Sequence, residues 1–193
     1  GEPLYLDVKS LYYEEEKQPL IIGGVYGLSS KDTTPRLINA VFNNLKGEQK
    51  NQFTVGIVDD VMHSSIDASE EIDVTEDTTT EILFFGLGGD GTVGASKNIV
   101  KILGDNTALT TQAYASYDSK KAGGITRMHV RFSSKPIRST YLVNEPHFVS
   151  CANDAYLSTL EMLGGLRKGG RFLLNTQVPK EEIEAYRSEE RRV

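Results

Sequence analysis

The feature that most constrains the fold is a continuous apolar run, Ile82-Leu83-Phe84-Phe85, that passes directly into Gly86-Leu87-Gly88-Gly89-Asp90-Gly91. An unbroken apolar run of this length suits a central strand covered on both faces rather than a half-wetted one. The glycine series fits G-x-G-x-x-G, a weak pattern alone; its value rises because it follows the strongest strand and opens a helix. Val93, Ile99, Val100 and Leu103 repeat at helical spacing and predict a helix ending at Gly104. Ala113 to Tyr117 reads as the next strand. Strand, turn, helix and strand in this order imply parallel pairing through a right-handed crossover.

The remaining segments fit the same class. Thr34-Pro35 predicts a helix start, with Thr34 as N-cap and Pro35 at the first helical position, and Leu37, Ile38, Val41, Phe42 and Leu45 facing a core. Phe53 to Val58, Met128 to Phe132, Tyr141 to Val143, Phe148 to Cys151 and Phe172 to Leu174 read as strands, and 59–80 as a polar surface loop. In the second of these strands Arg127, His129 and Arg131 alternate with the apolar residues, so that face is expected to be wetted. A helix is expected over Ala155 to Leu163, capped by Asn153 or Asp154. The fold class is α/β: a Rossmann-like open, mostly parallel sheet with helices on both faces. Residues 1–32 read as an extended lead-in or linker, 33–178 as the α/β domain, and 179–193 as a charged helix or linker. The absence of an initial Met and the charged close predict an internal piece of a longer protein.

At the glycine turn the candidate ligand-binding residues are Gly86, Gly88, Asp90, Gly91 and Thr92. A phosphate needs close access to backbone N–H groups, and a helix start favours negative charge. A carboxylate beside a phosphate is repulsive, so Asp90 is better matched to a ribose hydroxyl, an adenine edge or a backbone N–H. The plainer alternative is a tight strand–helix turn capped by Asp90 or Thr92. Gly-Asp-Gly also begins the magnesium–thiamine diphosphate motif, but about thirty residues on this chain has Tyr117-Asp118-Ser119-Lys120-Lys121 and no Asn pair. Neither thiamine diphosphate nor its metal is therefore placed on this turn.

Ser119, Lys120 and Lys121 lie after the second strand of the unit, and a doubly wound sheet would bring them to the same carboxyl edge as the glycine turn. Two adjacent lysines followed by Gly123-Gly124 suit a phosphate, although such pairs are commonly just solvated. Asp118 could hold the ribose hydroxyls of NAD. The lysines suit an extra phosphate, as in NADP or the 3′-phosphate of coenzyme A.

Composition narrows the class. The net charge is −6 and the chain is acidic, which argues against a general nucleic-acid binder. The lone Cys151 can form no internal disulfide and hold no four-thiolate cluster; it points to a reducing, cytoplasmic setting and reads as a core thiol. His63, His129 and His147 lack metal-ligand spacing, and no apolar run approaches membrane-spanning length. Asp59-Asp60 reads as a strand-end pair. Asn144 and Asn175 follow strands and read as turn residues with a possible ligand contact. No metal site and no catalytic residue is assigned.

Several blocks together carry a resemblance. They are Tyr26-Gly27-Leu28-Ser29-Ser30-Lys31-Asp32 with Thr34-Pro35, Phe53-Thr54-Val55-Gly56-Ile57 with Asp59-Asp60, Phe85 to Ala95, Tyr117 to Thr126, and Pro136-Ile137 with Ser139 to Val143. From about Tyr26 to Thr176 the chain resembles the γ-type internal domain of pyruvate:ferredoxin (flavodoxin) oxidoreductases, members of the 2-oxoacid:acceptor oxidoreductases. The resemblance implies one part of a cytoplasmic, homodimeric multidomain enzyme that oxidises pyruvate with coenzyme A to acetyl-CoA and CO2. Its partners would be the other domains of the same chain and a ferredoxin or flavodoxin as electron acceptor, with no nucleic acid and no membrane. Thiamine diphosphate, Mg and the iron–sulfur clusters would sit on those other domains, and coenzyme A on this one, with Gly88, Asp90, Gly91 and Thr92 at its nucleotide end and Lys120 and Lys121 meeting its phosphates. Two other readings stay open: an NADP-binding oxidoreductase domain, and a non-catalytic docking scaffold.

Overall fold

A computed structural model describes residues 2–117, 124–179 and 181–183. Contacts divide the chain into two units, Gly1–Val74 and Thr75–Val193, so a division falls inside the stretch 33–178 read as one domain. The expected terminal helix from Pro179 lies largely outside the described residues.

In the first unit, α1 spans Pro3–Leu11, β1 Gly24–Val25, α2 Pro35–Lys46 and β2 Phe53–Thr54, with β1 and β2 parallel. Residues 3–11 were expected to be extended; Pro3 at the helix start presets the backbone for the helix that forms instead. The α2 start is as the sequence indicates, with the Leu37 N–H donating to the Thr34 hydroxyl at 3.4 Å. Its core is small: Leu37, Ala40, Phe53 and Val55. Of the five α2 residues expected to face a core, only Leu37 is buried, while Ile38, Phe42 and Leu45 are exposed. The strand expected to run to Val58 stops at Thr54, and Gly56 turns the chain at φ +87°. Asp59 holds the following loop. Its carboxylate accepts from the Ser64 hydroxyl and the Met62, Ser64 and Val61 amides, which pull it down to about 2.

The second unit is a five-stranded sheet with α3, Thr92–Asn106, against it. The strands are β3 Thr79–Leu87, β4 Thr110–Tyr117, β5 Ile125–Ser133, β6 Phe148–Cys151 and β7 Arg171–Leu174, in the spatial order β4-β5-β3-β6-β7. Four strands run one way and β5 runs against them, which makes the sheet mostly parallel. β3 and β4 are parallel, as the strand–helix–strand order implies, but they do not pair: β5 lies between them, antiparallel to both. The cause is length. Only seven residues, 118–124, separate β4 from β5, and a parallel return needs a dozen or more, so β5 folds back as a hairpin strand. Gly104 does not end α3. It sits inside the helix where a Cβ would lie 3.3 Å from the Thr111 hydroxyl, and so permits close packing on β4. Tyr141 to Val143 is irregular rather than a strand. The helix expected over Ala155–Leu163 shortens to a 3-10 turn, Asp154–Ser158, capped by Asn153 as predicted.

One face of the sheet is not wetted as the alternation predicts. Leu83, Phe85, Val149 and Cys151 pack there with Tyr156 and Met162. His129 and Arg131 share that face through the pairings Leu83↔His129 and Glu81↔Arg131, and both are buried; only Arg127 stays exposed. The Arg131 Nε–H donates to Glu81 at 2.7 Å, and its Nη1 to Gln112 at 3.0 Å and the Tyr141 carbonyl at 2.8 Å. A residue 50 positions upstream thus neutralises what local alternation reads as a solvated charge.

The His129 imidazole accepts the Val143 N–H through Nδ1 at 3.1 Å. Burial first, then the Arg131 and Arg127 guanidiniums, push its pKa down to about 4. The unfolded imidazole titrates near 6.5, so between pH 6.5 and 4 only the unfolded chain takes up this proton. The His129 contribution is therefore complete above pH 6.5 and lost as pH falls through that window. Stability is expected to drop by about 2 kcal/mol between pH 7.5 and 5 from this group. In His129→Gln, which keeps an acceptor for Val143, urea unfolding should lose that part of its acid dependence; an unchanged pH slope would refute the assignment.

Candidate functional site at the carboxyl edge of the sheet

The glycine turn leaves the carboxyl end of β3, the central strand. Gly89 and Gly91 have φ of +95° and +90°, angles that side chains resist, and Gly91 is the N-cap of α3. Gly86 serves a different need. A Cβ there would lie 2.5 Å from Thr92 Cβ and 2.8 Å from its Cγ2, so the first residue of α3 rests directly on the strand. Asp90 is drawn inward. Its carboxylate accepts the Leu87 N–H at 2.7 Å and the Thr92 N–H at 2.8 Å. Partial burial raises its pKa, but the bonds from Thr92 and Leu87 more than offset this and leave it below the ordinary carboxylate value, hence ionised at neutral pH. The capping role weighed for Asp90 is the one its bonds express. Among the described residues, the amides of Gly89, Gly91, Val93 and Gly94 meet no acceptor and form the anion-binding capacity left to the turn.

The second candidate loop begins and ends at the same edge. Tyr117 and Thr126 are paired at the hairpin mouth, Gly86 pairs with Thr126 from the other side, and the Gly88 N–H donates to the Gly124 carbonyl at 3.1 Å. Ser119, Lys120 and Lys121 themselves lie outside the described residues.

A polar cleft of about 400 Å3 opens at this edge. It is lined by Asp90 from the turn, Asn153 and Asp154 after β6, and Asn175, Thr176 and Gln177 after β7. Parallel β3, β6 and β7 end side by side there, the usual place for a ligand on such a sheet. The Thr176 hydroxyl donates to Asp154 at 2.7 Å and the Asn175 amide to the Ala152 carbonyl at 3.1 Å, which fixes the floor. Asn175 therefore joins the site, as its strand-end position allowed, whereas Asn144 lies elsewhere. Thr176 and Gln177 escaped the sequence reading; the run after the last strand was their only signal. Cys151 is buried, its thiol donating to the Asn153 carbonyl at 3.0 Å, and burial raises its pKa, so it is a core thiol rather than a nucleophile. Among the described residues no three His, Cys, Asp or Glu side chains gather as metal ligands, and no helix is long and apolar enough to cross a membrane.

These features define an α/β domain in which the glycine turn, a hairpin mouth and two further strand ends meet at one edge of the sheet. The profile of the pyruvate ferredoxin/flavodoxin oxidoreductase family matches residues 81–192, and the chain belongs to that family. Among its relatives, the pyruvate:ferredoxin oxidoreductase of Moorella thermoacetica is 47% identical over 96% of this chain and 16% of its own length. The pyruvate-flavodoxin oxidoreductase of Enterobacter agglomerans is 49% identical over 91% of this chain and 15% of its own. The mitochondrial pyruvate dehydrogenase [NADP(+)] of Euglena gracilis is 43% identical over 95% of this chain and 10% of its own. The chain thus spans no more than about 16% of the length of these relatives.

Proposed function

We propose that this chain supplies the coenzyme A phosphate and nucleotide site of a multidomain enzyme that oxidises pyruvate to acetyl-CoA and CO2. The observation that carries the reading is the Gly88–Gly124 hydrogen bond. It ties the turn with its open amides to the loop that contains Ser119, Lys120 and Lys121, so one anion could meet both. On this reading Gly86, Asp90 and Thr92 hold the turn in shape, Gly88 ties it to the second loop, Gly91 offers its amide to the ligand, and the polar cleft takes the nucleotide. Thiamine diphosphate with Mg and the iron–sulfur clusters belong to other domains of a homodimeric cytoplasmic parent, consistent with the single buried thiol here. Relatives named for ferredoxin, flavodoxin and NADP(+) all match nearly the whole chain, which favours an acceptor chosen elsewhere in the parent.

Another reading, a docking scaffold, draws on one fact: Asp90 already occupies two of the turn's amides. Kinetics of the full-length enzyme separate the two. Lys120→Ala/Lys121→Ala is expected to raise KM for coenzyme A about 30-fold, the loss of roughly 2 kcal/mol of charge-assisted contacts. KM for pyruvate should not move. A coenzyme A KM within twofold of wild type would favour the scaffold.

A further inference from the structure

The first unit carries an apolar groove that neither the ligand edge nor the family assignment uses. Its volume is about 630 Å3, and Leu4, Tyr5, Ile22, Ile38, Phe42 and Phe53 help line it. On α2, Ile38, Phe42 and Leu45 are 48%, 56% and 40% exposed, though their spacing makes one continuous apolar stripe. Helix α1 buries no residue at all. At about 100° per residue, Leu4 and Leu11 fall on one of its faces and Leu6 on the other. All three are more than half exposed. Leucines on opposite faces of so short a helix leave two apolar surfaces to be covered, with Asp7 and Lys9 between them, and a contiguous apolar surface of this kind marks an interface.

We propose that this groove is the seat of another domain of the same parent polypeptide, which covers the α2 stripe and both leucine faces of α1 with apolar surface and leaves Asp7 and Lys9, between those faces, at its margin. The inference rests on the chain being part of a longer protein, but not on where coenzyme A binds. Two observations select this occupant. Relatives that match 96% of the chain have more than five-sixths of their length outside the match, so ample polypeptide exists to cover the groove. A two-fold contact between copies of α1 would cover one of its faces and leave the other wet, whereas a surrounding domain covers both.

The test is made on the full-length parent, with p-benzoylphenylalanine in place of Phe42, irradiation, and mapping of the linked peptides by mass spectrometry. The expected product joins this position to a peptide outside these 193 residues. Links to residues 75–193, links between the α2 helices of two copies, or no peptide link would each overturn the proposal. Hydroxyl-radical footprinting of the unsubstituted parent covers the case in which the variant misfolds. Phe42 and Leu4 should be oxidised at least tenfold more slowly in the native protein than in urea, and protection below about twofold would overturn it. Neither readout depends on coenzyme A, so failure here and failure of the coenzyme A site are distinguishable.

Discussion

Gly86→Val is expected to lower the melting temperature of the second unit by about 6–12 °C, whereas Gly94→Ala, eight residues on, should raise it by about 2–4 °C. The two glycines look alike in sequence and meet opposite surroundings. At Gly86 an added Cβ would enter the Thr92 side chain, with 2.5 Å to its Cβ. Relief requires the start of α3 to lift from β3, and forcing extra methyls into such a contact costs about 3 kcal/mol. For a protein of this size each kcal/mol is worth about 2–4 °C. At Gly94 an added Cβ meets nothing within 4 Å and the residue is helical, so Ala there gains about 1 kcal/mol of helix propensity. Differential scanning calorimetry of the two variants reads both signs. Equal shifts would mean that α3 does not bear on Gly86, and the account of the turn would fall with it. Because the Val93 and Gly94 amides move with the start of α3, Gly86→Val should also weaken any anion held at the turn.

The turn was legible because its cues are local: an apolar run of strand length, glycines where side chains clash or φ is positive, and helical spacing afterwards. Thr34-Pro35 was legible at α2 for the same reason. What could not be read was set at a distance. That β5 separates β3 from β4 follows from strand pairing, although the seven-residue link between β4 and β5 already ruled out a parallel return. The α2 stripe announced a core face that the described residues leave open, since a periodic pattern says that a face is covered without saying by what. The polar cleft joins the end of β3 to the ends of β6 and β7, more than 60 positions further along the chain, and the two-residue repeat of β5 cannot tell water from a buried partner.

Glu81→Gln is expected to destabilise the sheet by about 3–5 kcal/mol, because it strands the Arg131 guanidinium in the protein interior. Glu81 and Arg131 are cross-strand partners on β3 and β5, with side chains only 2% and 3% exposed. Their 2.7 Å contact is extended by Gln112 and the Tyr141 carbonyl, and the Tyr141 ring centroid lies 4.8 Å from the guanidinium carbon. The intact pair need not add much net stability, since withdrawing two charges from water opposes their attraction; the damage comes from removing one partner. Glu81→Leu/Arg131→Met should accordingly recover most of the loss and sit within about 1–2 kcal/mol of wild type, despite removing both charges. Native-state hydrogen exchange of the β3 and β5 amides measures this locally and does not require the two units to unfold together. The ordering, with the single variant far below the double, is the decisive result. A double variant as unstable as the single would mean that the charges contribute more than their mutual neutralisation. A single variant within 1 kcal/mol of wild type would mean that water reaches Arg131, which its burial denies.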